Sequence, residues 1–207
     1  MAFARAQSSA NPADTLFDTL VPQALEGRSV WVRNAIVVLA GSLLLTLSAK
    51  VSFPFVPVPM TLTTLVVLCL GMVLGPKLGA ATVLAYLAQG AMGLPVFAGT
   101  PEKGIGIAYM LSHTGGYLVG YLVAAFVVGH LAQRRWDRSM LSTIAAMIIG
   151  NFFIYAFGLL WLGTLIGWDK PVVALGMTPF LLADLAKILI AAALLPTLWK
   201  FLKPGSV

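Results

Sequence analysis

Long apolar blocks separated by short polar or proline-containing stretches dominate the chain. The blocks occupy residues 31–49, 61–74, 78–92, 114–131, 140–166 and 178–199. Four of them have about the 20 residues that a helix needs to cross a bilayer. Blocks 61–74 and 78–92 are shorter and flank Gly75, Pro76 and Lys77. Because proline breaks a helix and a lysine at mid-bilayer is costly, we expect two short helices joined there, and hence six spans.

Composition agrees with this pattern. Of 207 residues, 59% are hydrophobic and 10% are charged, whereas an average soluble domain has about 25% charged residues. A water-soluble surface cannot be built from so few polar groups. The sequence therefore predicts an all-α, multi-pass protein of the cell membrane, with a single six-helix domain over residues 31–203 in the lipid bilayer.

The distribution of positive charge predicts the orientation, because cytoplasmic loops accumulate Lys and Arg. Six spans with both termini cytoplasmic place nine bases inside and three outside, with Lys187 left in the last span. The inside bases are Arg5, Arg28, Arg33, Lys77, Arg134, Arg135, Arg138, Lys200 and Lys203, and the outside bases are Lys50, Lys103 and Lys170. Since the net charge of +6 is dispersed between apolar blocks, we expect no nucleic-acid partner.

Residues 1–30 are polar and show no apolar signal segment. A short amphipathic turn at residues 15–21 is one interpretation of this stretch. We favour a mobile cytoplasmic tail.

Two apolar stretches contain proline where a regular helix cannot form, at residues 53–59 and 93–99. Non-helical backbone at membrane depth is tolerated where it is buried in protein or lines a cavity. Both stretches fall on the outer side of the six-span arrangement. They are therefore either apolar surface loops or the cover of a pocket.

Asp184 and Lys187 are the charged residues of the last span, about six and nine residues below its outer end. A spacing of three places them on one helix face. Ionisable residues at this depth face the protein interior and usually mark a functional site. The alternative is a self-neutralised structural pair. As a site, the two residues suit a ligand that is anionic at one end and amide-like at the other.

The fifth span contributes Asn151 and Tyr155, four residues apart and so on one face. An amide in lipid needs a partner, which is either a ligand or another helix. In the fourth span, Gly116 and Gly120 form a small-residue pair typical of close helix packing.

Catalytic patterns are missing from the sequence. His113 and His130 lie at opposite ends of the fourth span, so they cannot form a metal site together, and no phosphate-binding G-x-x-x-x-G-K-[ST] motif is present. We therefore expect neither an enzyme nor a bound metal. If the chain drives uptake, the energy comes from a partner or an ion gradient.

Five ordered motifs resemble the BioY family, over about residues 31–203. They are PVPMTL at 57–62, LGPKLGA at 74–80, GLPVFAG at 93–99, TGGYLVG at 114–120, and PF at 179–180 followed by Asp184 and Lys187. BioY proteins are the biotin-binding S components of energy-coupling-factor (ECF) vitamin transporters. The resemblance implies high-affinity biotin uptake, with biotin as substrate and no cofactor. It also implies association with a transmembrane coupling subunit and two cytoplasmic ATPases, or action alone as a homo-oligomer.

The motifs and the polar residues together predict one substrate-binding site, made of Asp184, Lys187, Asn151, Tyr155, Phe97, Thr61 and Tyr117. We pair the valerate carboxylate of biotin with Lys187, and its ureido N–H groups with Asp184 or Asn151. The first span has no Ala-x-x-x-Ala pair, through which S components usually contact the coupling subunit. Three alternatives stay open: an S component for another vitamin, an intramembrane enzyme using Asp184, and a structural membrane subunit.

Overall fold

The computed structural model describes residues 15–20, 28–54 and 56–202. Its helices are α1 (Leu16–Leu20), α2 (Arg28–Lys50), α3 (Thr63–Ala91), α4 (Gly106–Met110), α5 (Gly115–Gln133), α6 (Met140–Ile166), α7 (Val172–Gly176) and α8 (Leu181–Leu202). A 3-10 turn, Thr178–Phe180, precedes α8, and two short strands, β1 (Ser52–Phe53) and β2 (Met60–Thr61), pair antiparallel. Most of the predicted tail and Lys203 lie outside the described residues.

Five helical stretches of the described chain are long and apolar enough to cross a membrane. They are Val30–Lys50, Thr63–Ala91, Gly115–Gln133, Met140–Ile166 and Val172–Leu202. Large apolar side chains on their outer faces are exposed, among them Trp31 at 80%. Such a surface suits lipid. The chain is therefore a multi-pass membrane protein, as its composition predicts.

The chain reverses direction inside α3. Gly75 has a φ of +78°, a conformation that favours glycine. A Cβ added at Gly79 would lie 2.9 Å from the Cα of Gly71, although eight residues of straight helix span about 12 Å. The two halves of α3 therefore lie side by side, which confirms the predicted break between the second and third apolar blocks.

Helix α5 lies between α3 and α6 and approaches both closely through glycines. A Cβ at Gly120 would lie 2.8 Å from the Cα of Ile154 in α6, and one at Gly116 would overlap the backbone of Phe157. The predicted close packing at this pair is confirmed. On its other side, a Cβ at Gly129 would lie 2.5 Å from the backbone nitrogen of Pro76.

One end of the bundle, here called the basic end, carries the exposed side chains of Lys77, Arg134, Arg135 and Lys200. Helix α1 packs there against the turn of α3, with Leu16 and Phe17 buried. The expectation of a mobile tail is therefore wrong for residues 15–20. An amphipathic turn does form, but its apolar side chains are buried against the protein.

A buried polar cluster ties the α5–α6 connection to α8 at the basic end. The Asp137 carboxylate is fully buried and accepts a hydrogen bond of 2.5 Å from Nε1 of Trp199. The guanidinium of Arg138 lies 4.2 Å from the centre of the Trp199 ring. Burial raises the pKa of Asp137.

At the opposite end, here called the loop end, the connections are irregular. The proline-rich stretch joins β1 to β2, with Val58 buried and Val56 86% exposed. In the second stretch, Phe97 and Ala98 are buried. The described residues of both stretches are non-helical, as predicted, and each stretch turns part of its apolar side chains into the protein.

Gly129→Ala tests the tight contact between α5 and the turn of α3. Because the new methyl group would meet rigid backbone at Pro76, we expect a loss of about 1–3 kcal/mol in unfolding free energy, the usual range for overpacking. Thermal unfolding in detergent measures it. Val119→Leu adds a methylene to the exposed face of the same helix and should leave the melting temperature unchanged. Equal melting temperatures for all three proteins would contradict the described packing.

Candidate binding site

A cavity of about 620 Å³, counting its open mouth, lies at the loop end of the bundle. Side chains from α3, α5, α6 and α8 and from both irregular stretches line it. All five tyrosines of the chain are among them: Tyr86, Tyr109, Tyr117, Tyr121 and Tyr155. A largely apolar cavity with a few convergent polar groups is the usual form of a small-molecule site.

The floor of this cavity is formed by Asp184, Lys187 and Thr64. Nζ of Lys187 donates hydrogen bonds of 2.8 Å to Oδ1 of Asp184 and of 2.8 Å to Oγ1 of Thr64. The two charged residues are 4% and 8% exposed. A buried carboxylate and ammonium are tolerated in a membrane protein when they pair and are further hydrogen-bonded, as here.

Tyr155 completes the coordination of the carboxylate. Its hydroxyl donates a hydrogen bond to Oδ2 of Asp184, so both carboxylate oxygens have partners. Tyr155 comes from α6 and Thr64 from α3, whereas the ion pair belongs to α8. The floor therefore joins three helices and presents acceptors and donors side by side.

Aromatic rings form one wall of the cavity. Phe97 stacks on Tyr109 with ring centres 4.9 Å apart and meets Tyr86 edge-on at 5.3 Å. The hydroxyl of Tyr109 donates a hydrogen bond of 2.8 Å to the carbonyl of Ala98. Burial raises the pKa of Tyr109. The wall thus also fastens the 93–99 stretch to the helices.

Lys50, the last residue of α2, also holds the 93–99 stretch and the neighbouring Thr100. Its Nζ donates hydrogen bonds of 3.1 Å to the carbonyl of Phe97, 2.8 Å to the carbonyl of Thr100 and 3.0 Å to the Thr100 hydroxyl. The ammonium at the end of α2 therefore holds a loop whose residues Phe97 and Ala98 line the cavity.

Six of the seven predicted site residues line this one cavity: Asp184, Lys187, Tyr155, Phe97, Thr61 and Tyr117. Asn151 does not. It lies one turn of α6 closer to the basic end than Tyr155 and lines a separate, smaller cavity. Asp184 is the fourth residue of α8 rather than about the sixth of its span, because Thr178–Phe180 forms its own turn.

Sequence analysis missed Thr64 and three tyrosines, Tyr86, Tyr109 and Tyr121. One signal was available, since Tyr117 and Tyr121 are four residues apart on α5 and so share a face. For Thr64 no such signal exists, because a threonine in an apolar helix usually bonds its own backbone.

Metal-binding residues do not cluster in the described part of the chain, where no three His, Cys, Asp or Glu side chains come together. The site is thus built from one ion pair, hydroxyl groups and aromatic rings. Such a set binds and orients an uncharged polar group or a zwitterion.

Comparison of the sequence with known proteins identifies its family and relatives. The model of the BioY family matches residues 18–204. A probable biotin transporter of Pyrococcus horikoshii is 38% identical over 70% of this chain and 82% of its own length. The biotin transporter of Thermotoga maritima is also 38% identical, over 72% of this chain and 85% of its own length.

The fold also matches a solved structure. The S component for biotin from an ECF-type ABC transporter superposes with a TM-score of 0.68, over 85% of this chain and 95% of that one. The two sequences are 23% identical. The match therefore supports the arrangement of helices described above.

Lys50→Met tests the attachment of this loop. One hydrogen bond to a charged group contributes about 1.5–3 kcal/mol, and about 1.4 kcal/mol is a factor of ten, so removing three such bonds should speed amide hydrogen exchange in residues 97–104 by at least about tenfold. Lys103→Met is the matched control, because it removes the same charge from that loop, and its side chain makes no hydrogen bond or ion pair with the described residues. Equal exchange in both variants would contradict the role of Lys50.

Proposed function

The chain belongs to the BioY family, and from this membership we propose that it takes up biotin as the substrate-binding S component of an ECF transporter. The observation that carries the proposal is the floor of the cavity, where Asp184 and Lys187 lie side by side and face the same end of any ligand. Biotin is the cargo in this proposal and not a cofactor.

The ureido group of biotin complements this floor. It carries two N–H donors and one carbonyl acceptor, which match a carboxylate and an ammonium 2.8 Å apart. A carboxylate bound to Lys187 would instead lie against the carboxylate of Asp184 and be repelled. The arrangement therefore favours the ureido end at the floor and the valerate chain toward the mouth, in place of the pairing of the valerate with Lys187.

The remaining walls suit the rest of the molecule. Phe97 and the tyrosine rings offer an apolar surface for the fused rings of biotin. Val58, Pro59 and Ala98 of the two irregular stretches also line the cavity. In this proposal the stretches are the cover of the pocket rather than surface loops.

For the membrane arrangement we propose six crossings with both termini cytoplasmic, the two halves of α3 being two of them. The reversal at Gly75 and the side-by-side contact of Gly71 with Gly79 support this number. The basic end then faces the cytoplasm, in line with the positive-inside rule. The cavity opens to the outside, where the substrate arrives.

A coupling subunit and two cytoplasmic ATPases are the partners that this function requires if uptake uses ATP, because the sequence lacks a phosphate-binding loop of its own. A homo-oligomer acting alone is the alternative. The related proteins are named as transporters, which disfavours the intramembrane enzyme. An S component for another vitamin would need a different set of hydrogen-bond donors and acceptors at the floor.

Substitution of the floor pair tests the substrate site. Asp184→Asn or Lys187→Met strands one buried charge, so each should lower the unfolding free energy by about 3–5 kcal/mol. The double variant should regain most of this stability and still fail to bind biotin, because the ureido group loses its partners. Thermal unfolding and radiolabelled biotin binding on the same purified proteins measure both effects.

The matched control for that experiment is the exposed pair Asp169 and Lys170, 3.4 Å apart. The corresponding Asn and Met substitutions there should change neither stability nor binding, because exposed ion pairs contribute about 0–1 kcal/mol. Near-normal biotin binding by the double floor variant would remove Asp184 and Lys187 from the site. Failure of the wild-type protein to bind biotin would overturn the proposed function.

Cysteine labelling tests the orientation. In a Cys69→Ala background, Lys103→Cys should react with a membrane-impermeant maleimide on intact cells, whereas Arg135→Cys should react only after permeabilisation. Both side chains are exposed in the structure, so access differs only by the side of the membrane. Labelling of position 135 but not position 103 on intact cells would reverse the proposed orientation.

A further inference from the structure

A second cavity lies directly below the floor, toward the basic end. Four apolar side chains line it, together with Thr64, Asn151 and Lys187. Thr64 and Lys187 also line the main cavity. A single layer of side chains therefore separates the two cavities, and Lys187 faces both.

Asn151 has an unmet hydrogen-bonding capacity in this cavity. The residue is 8% exposed, and its Oδ1 has no hydrogen-bond partner among the described residues. A buried carbonyl oxygen without a partner costs about 1–3 kcal/mol. Because this cost is large, we expect the Oδ1 of Asn151 to accept a hydrogen bond from a donor within the cavity.

Lys187 is the donor on the opposite side. Its ammonium carries three N–H groups, and the structure gives two oxygen partners for them, Asp184 Oδ1 and Thr64 Oγ1. Both of those partners lie at the floor itself. The third N–H is thus available to the lower cavity that Asn151 lines.

The space between these groups fits one water molecule. The lower cavity has room for about one, and no direct hydrogen bond joins Lys187 to the Oδ1 of Asn151. A water there would accept from the ammonium and donate to Oδ1 of Asn151. Polar partners of this kind are what distinguishes a hydrated cavity from a dry one.

We propose that Asn151 is a positioning residue of the binding site, which holds Lys187 in place through one buried water. The inference rests on the proposed function and adds a part to its site. In this arrangement one N–H of Lys187 binds the water and a second binds Asp184. The third N–H, which binds Thr64 in the structure, would then turn to the ureido carbonyl of the ligand. Asn151 therefore acts on the ligand through Lys187, without touching it.

The first test needs no ligand. Thermal unfolding of the wild type, Asn151→Leu, Lys187→Met and the double variant forms a double-mutant cycle. We expect Asn151→Leu to lower the melting temperature when Lys187 is present and to leave it unchanged or higher in the Lys187→Met background. Equal shifts in both backgrounds would overturn the link between the two residues.

The second test measures biotin affinity with Lys187 intact. Asn151→Leu should weaken binding about tenfold, the effect of one lost hydrogen bond to a charged group, and Asn151→Ser, which keeps a hydroxyl acceptor, should weaken it less. Met147→Leu changes an apolar residue of the same cavity and should have no effect. Wild-type affinity in Asn151→Leu, or an equal loss in Met147→Leu, would overturn the positioning role.

A crystal structure that shows ordered water tests the bridge itself. Density within hydrogen-bonding distance of both Nζ of Lys187 and the Asn151 amide is expected, and its absence would overturn the water. If the wild-type protein binds no biotin, the proposed function fails, but the ligand-free unfolding cycle still decides whether Asn151 supports Lys187. The two failures are therefore distinguishable.

Discussion

The hydrocarbon of a bilayer offers no partner to a charge, so an ionic group at that depth is neutralised inside the protein. The pair of Asp184 and Lys187 meets this constraint with help from two other helices, through Thr64 of α3 and Tyr155 of α6. Because hydrogen bonds have narrow distance limits, these contacts fix how α3, α6 and α8 sit relative to one another. The constraint that makes the pair costly in lipid thus also positions it for a ligand.

The same rule explains where the tyrosines lie. Irregular backbone at the loop end leaves carbonyls that no helix satisfies, and side-chain donors take that place. Tyr86 donates to Val96, Tyr109 to Ala98 and Tyr117 to Gly176, while Lys50 serves Phe97 and Thr100. Each of these tyrosine rings then faces the cavity. The same tyrosines therefore satisfy backbone carbonyls at the loop end and form the walls of the cavity.

Much of this architecture could be predicted from the sequence, because hydropathy and helix breakers are local signals. The apolar blocks, the break at Gly75 and the charged floor follow from them. The rotation of each helix does not, since helices that are apolar on every side carry no pattern marking the inner face. For this reason Thr64 was missed and Asn151 was assigned to the main cavity. The packing of residues 15–20 was missed because it depends on contacts with α3 and α8, which are distant in sequence.

The two ends of the cavity are bounded by interactions of different kinds. At the loop end, Lys50 holds Thr100 through partly exposed hydrogen bonds, each contributing about 0.5–3 kcal/mol. At the floor, a passage would separate a buried ion pair, at about 3–5 kcal/mol for one stranded charge. A group released at the loop end can bond to water, whereas a charge stranded at the floor stays buried. Under the function proposed above, passage through the floor is therefore the step that a coupling partner would have to drive.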